Sequence, residues 1–143
     1  MMNTKVYKAV HDLAEQLMKA ANKEDRVTFD KLYQQLQAIC IENEDTDKDH
    51  PVQWETLADF TEELEDAMAL YVKALAKATA INSKDFMSSV AFAIANLQIE
   101  FGQKAEAIKN LQDAKISANK IEDKDFKLEI DQLLESLLAD QDS

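Results

Sequence analysis

Glycine and proline each occur once in 143 residues, at Gly102 and Pro51. These are the residue types that most strongly break helices, so this chain has few places to stop one. Apolar runs alternating at a period of two, the mark of half-buried strands, are absent. The fold class expected is all-α. At this length a single domain suffices, burying roughly 68–70% of the unfolded surface.

The stretch from Asp85 to Lys120 is the most strongly patterned. Val90, Ala91, Ile94, Ala95, Leu97, Gln98 and Phe101 recur at helical spacings of three and four. Beyond Gly102, a second stripe runs through Ala107, Leu111 and Ala114, with Ala105, Ile108 and Ala118 beside it. The spacing predicts two antiparallel helices. Small residues at Ala95, Ala107 and Ala114 would bring them to the short end of the usual 8–10 Å separation. Gly102 can take the positive φ that ends the first helix.

The chain also echoes itself at an interval of forty residues. Ala67, Tyr71 and Ala74 stand forty residues before Ala107, Leu111 and Ala114. Ala74, Ala78, Ile81, Lys84, Asp85 and Phe86 likewise return as Ala114, Ala118, Ile121, Lys124, Asp125 and Phe126. The triplet Lys-Asp-Phe is predicted to open the next helix each time. Trp54, Leu57, Ala58 and Phe60 supply the first helix of the earlier hairpin.

Ile94-Ala95-x-Leu97, Phe101-Gly102 and Ala107-x-x-x-Leu111-x-x-Ala114 together resemble one tetratricopeptide repeat. Ala91 replaces the aromatic expected early in the first helix, and the late proline is missing. A period of forty exceeds the usual 34 and implies longer helices with the same stacking. The resemblance implies a right-handed superhelix of three antiparallel hairpins, at about 3–43, 51–82 and 84–120. A capping helix at about 124–139 completes one domain spanning 1–143.

The first hairpin diverges most. Val6, Val10, Leu13 and Leu17 predict one amphipathic helix; Phe29, Leu32, Tyr33, Leu36, Ile39 and Cys40 predict the inner face of the next. Larger residues at the alanine positions predict looser packing, as in terminal repeats. Cys40 reads as a small buried hydrophobe. The linker from 42 to 51 ends in Pro51, suited to a first helical turn, with Asp49 or His50 capping it. Asp45, Asp47 and Asp49 have the spacing of a calcium loop. His50 and Thr56 stand where its glycine and closing glutamate belong, so a solvated acidic loop without metal is expected. In the last segment Phe126, Ile130, Leu133, Leu134, Leu137 and Leu138 form one apolar stripe.

A formal charge of −12 argues against a nucleic-acid partner, because phosphate binding needs clustered lysine and arginine. No apolar run is long enough to span a membrane, and the start lacks a signal core. A lone cysteine suits a reducing compartment, and the expected location is cytoplasmic. His11 and His50 sit on different elements, and neither a phosphate loop nor a nucleophile elbow is present. No enzyme and no cofactor are expected.

In the tetratricopeptide family the first helix of each hairpin lines a concave groove for a peptide or partner helix. The resemblance implies about 30 Å of groove here, room for roughly nine extended residues. The partner-binding candidates are His11, Glu15 and Met18, then Gln53, Thr56, Asp59 and Phe60, then Ser89, Phe92, Asn96 and Glu100. Met18, Phe60 and Phe92 are apolar anchors and Asn96 a backbone-binding amide, although Phe60 and Phe92 could equally complete the core. One branch of the family clamps C-terminal carboxylates with Lys, Arg and Asn. Only Asn96 matches that clamp, while Glu15, Asp59 and Glu100 would repel a carboxylate. The expected ligand is therefore a neutral or basic protein segment rather than an acidic one. The alternatives are a self-associating repeat protein forming a homodimer, and a plain helical bundle with no peptide groove.

Overall fold

A computed structural model describes residues 4–141. Among these residues there are seven helices and no strand: α1 (Thr4–Asn22), α2 (Arg26–Asn43), α3 (Pro51–Asp59), α4 (Leu64–Ala80), α5 (Lys84–Glu100), α6 (Lys104–Ala118) and α7 (Lys124–Gln141). The all-α class is as expected. None of these helices is long and apolar enough to cross a membrane.

The helix boundaries explain the forty-residue echo. α4 and α6 begin forty residues apart, at Leu64 and Lys104, and α5 and α7 likewise, at Lys84 and Lys124. Lys-Asp-Phe opens α5 and α7. Ahead of it stand Ser83 and Asp123, whose side chains accept the backbone N–H of Phe86 (3.5 Å) and Phe126 (3.0 Å). Each satisfies one of the four donors a helix start leaves unpaired.

Three turns use one device. Glu24, Asn82 and Gly102 have φ of 56°, 53° and 74°. The N–H after each reaches back five residues: Asp25 to Ala20 O at 2.9 Å, Ser83 to Ala78 O at 2.9 Å, Gln103 to Gln98 O at 2.7 Å. This is the Schellman closure, in which a left-handed residue ends one helix and its neighbour starts the next. Gly102 adopts that φ without strain, whereas Glu24 and Asn82 carry a Cβ there.

Packing resolves two compact units, up to Ala74 and from Leu75. In the first, α1 packs on α2 and both touch α3. Val10, Leu17, Leu36, Cys40, Trp54 and Leu57 are buried there. The 42–51 segment, expected to be a solvated loop, is tied in. Asp49 accepts Trp54 Nε1 at 2.7 Å and Asp45 N at 2.8 Å. His50, not Asp49, caps α3: its Nδ1 accepts Val52 N at 3.1 Å. Cys40 is fully buried, its thiol donating to Gln53 O at 3.3 Å, and burial pushes its pKa up to about 12. It is a small buried hydrophobe, as the sequence predicts.

In the second unit α5 and α6 form the most extensively packed pair, and α7 packs on α6. Ala91, Ala95, Ala107, Leu111, Ala114 and Ala118 share one core with Ile130, Leu134 and Leu137 from α7. Ala95, Ala107 and Ala114 are fully buried, as close helix approach requires. Polar ties supplement this packing: Asn110 Nδ2 donates to Gln98 Oε1 at 2.8 Å, and Lys115 pairs with Asp131 at 3.0 Å.

Candidate functional site

The α3–α4 connection builds the feature of most chemical interest. α3 ends at Asp59, and Phe60 caps it with φ −102° and ψ 5°. Thr61 then folds back: its N–H reaches Ala58 O at 3.0 Å and its hydroxyl donates to Leu57 O at 2.7 Å. That leaves the Thr61 oxygen to accept from Tyr33 Oη on α2, also 2.7 Å away. So anchored, the connection turns the Phe60 ring toward Phe29 on α2, edge to face with centroids 6.3 Å apart.

Around these rings lies an open depression of about 490 Å³. Ala20, Ala21, Phe29 and Phe60 give it an apolar floor, and Glu24, Asp25, Asp59 and Glu62 a carboxylate rim. A smaller depression of about 230 Å³ shares Arg26, Phe29, Phe60, Thr61 and Glu62 with it and adds Asp30, Tyr33, Glu63 and Asp66. Seven carboxylates thus line the two depressions together with three aromatic rings, those of Phe29, Tyr33 and Phe60, and one guanidinium.

Asp59 is placed against local electrostatics. A helix C-terminus carries partial negative charge and disfavours an anion, yet α3 ends on this carboxylate. Although the residue as a whole is exposed, its carboxyl is hemmed in, and that partial burial raises its pKa above the ordinary value. A hydrogen bond donated by Tyr71 Oη opposes the rise without cancelling it. Tyr71 in turn is buried, and burial first, then Asp59, push its pKa well above the usual tyrosine value.

The second unit has its own acid-rimmed depression, of about 560 Å³, with Phe86, Ile121 and Phe126 among Asp85, Asp123, Asp125 and Glu129. Here helix dipoles account for much of the charge. Asp85 and Asp125 stand in the first turns of α5 and α7, and Asp123 caps α7.

The candidates from the sequence fare unequally. Asp59 and Phe60 line the first unit's depression, and Ser89 the second unit's. His11 and Glu15 are exposed on α1 and face each other, Nε2 to Oε1 at 3.2 Å. Met18 is 58% exposed, Thr56 half-buried and Glu100 exposed. Gln53 must be corrected: it is 0% exposed, with Nε2 donating to Lys48 O at 2.8 Å. It faces the core because α3 is short and its start is pulled inward by the linker. Phe92 packs against Phe126, centroids 5.4 Å apart, and joins the core rather than standing clear as an anchor. The Asn96 amide, expected to reach a ligand backbone, donates to Phe92 O of its own helix at 3.0 Å.

Phe29 is buried, as its place on the inner stripe of α2 predicts, whereas helical spacing gives Arg26 no role. A signal was available: Arg26 is the only arginine in the sequence. No cluster of three or more histidine, cysteine, aspartate or glutamate side chains among the described residues has metal-binding geometry. No family model matches this chain, and no curated protein or solved structure matches it either.

Proposed function

We propose that this chain is a non-catalytic protein-interaction module, built on degenerate tetratricopeptide-like repeats, that binds a neutral or basic segment of a partner protein. The depression around Phe29, Phe60 and Asp59 is the contact that selects a cationic side chain. The common starts of α4 with α6 and α5 with α7 support the repeat assignment, since equal spacing is what stacked hairpins require.

The observation that carries the binding role is Asp59. It is a hemmed-in carboxylate at the unfavourable end of a helix, beside two aromatic rings and an open cavity. Chains tend to break such local rules where a site requires it. Apolar floor and acidic rim together match a lysine or arginine flanked by apolar residues: the rings accept the stem, and the carboxylates the charged tip.

Fluorescence anisotropy with a labelled nonapeptide carrying two arginines between leucines, and with its glutamate counterpart, tests this. The arginine peptide should bind and the glutamate peptide should not. Asp59→Asn should weaken binding by about ten-fold, the worth of one charge-assisted hydrogen bond. Preference for the glutamate peptide, or indifference to Asp59→Asn, would overturn the proposal.

A further inference from the structure

Arg26 lines both of the adjoining depressions of the first unit. It sits 5.1 Å from the Phe29 ring centroid, 2.8 Å from Asp30 Oδ1, and bonds Glu62 across to the α3–α4 connection. Ring face, two carboxylates and an open approach are what a guanidinium ligand would seek. The chain already fills that subsite with its own side chain.

Two of these partners are neighbours on α2 itself, Phe29 at i+3 and Asp30 at i+4, and only Glu62 comes from elsewhere. Arg26 is the first residue of the helix, the end where positive charge is disfavoured. Its partners raise its pKa, Glu62 first and then Asp30, so it stays charged at every working pH. Yet Arg26, Asp30 and Glu62 all have side chains more than half exposed. Water and salt screen such pairs, and little holds them together against a competitor.

We infer that Arg26 is an internal competitor: it occupies the guanidinium subsite formed by Phe29, Asp30 and Glu62, and a partner's arginine enters by displacing it. This rests on the binding role proposed above. An internal cation would raise the threshold for binding, so that single lysines and arginines of bystander proteins are rejected. A partner segment offering both a cation and apolar neighbours overcomes it by also covering the Phe29–Phe60 floor.

The labelled arginine nonapeptide is again the probe, with Arg26→Gln as the variant. Removing the competitor and its repulsion should tighten binding by about three- to ten-fold at low salt, with the gain shrinking at high salt. Because the wild-type chain has one arginine, its side-chain Nε–Hε resonance in a ¹⁵N-labelled sample reports on that residue alone. Adding unlabelled peptide should move this resonance saturably toward the position of a free arginine. Binding by Arg26→Gln but not by wild type would support displacement most strongly. If wild type binds and Arg26→Gln binds equally or less well, or the resonance stays fixed, displacement is wrong and the binding role stands. If neither protein binds, both fall.

Discussion

The two units reach a stable helical packing by opposite means. In the second, regularly spaced helices bury alanines against leucines and isoleucines in one continuous core. In the first, irregular connections are stitched down one polar group at a time: Trp54 to Asp49, Tyr33 to Thr61, Tyr71 to Asp59, Gln53 to Lys48. The cation of Lys73 lies 4.3 Å from the Trp54 ring centroid and pairs with Glu44 as well. Close packing of small residues leaves little room to vary a surface. Polar stitching, by contrast, lets a connection present carboxylates beside the half-buried Phe60 ring, so the unconventional charges collect in the first unit.

Overpacking should strike the second unit hardest. Ala107 is fully buried in the α5–α6 core, and Ala107→Leu should cost about 1–3 kcal/mol in chemical denaturation. A neutral result would mean that the small residues are not what brings these helices together.

Stitching should fail one bond at a time, with smaller losses. Tyr71→Phe removes the hydroxyl that holds Asp59 and should cost about 1–2 kcal/mol, while letting the Asp59 pKa rise further. NMR titration of the carboxyl checks the shift. An unchanged or lowered Asp59 pKa would sever the link between them.

These contrasts track what the sequence made legible. The alanine stripes, the Gly102 turn and the echoed Lys-Asp-Phe starts are local and periodic, and each is realised in the second unit. Gln53 turns inward against that reading, because helical periodicity assigns a face but does not see a nine-residue α3 anchored by its linker. Arg26 gave a compositional hint, but its meeting with Glu62, thirty-six residues away, depends on tertiary packing.

The smallest expected effect concerns pH. His50 accepts the Val52 N–H only while Nδ1 is unprotonated, and burial lowers its pKa from the ordinary 6.5. A folded-state pKa below the unfolded one means that this cap stabilises fully above about pH 6.5, and the contribution fades as pH falls below that value. The loss should approach about 1 kcal/mol, typical of an N-cap. His50→Asn should flatten the dependence in thermal unfolding between neutral and mildly acidic pH, and an unaltered slope would discount the cap. Asp59, with its raised pKa, acts in the opposite sense at lower pH: the folded state gains relative stability as its carboxyl protonates.

Hydrogen exchange on the full chain, with and without the arginine nonapeptide, compares the two units in one measurement. Peptide should slow exchange at the α1–α2 turn and the α3–α4 connection, around residues 20–30 and 57–66, and leave the α5–α6 core unchanged. Protection confined to the second unit, or spread evenly over both, would contradict a cation-selecting site in the first.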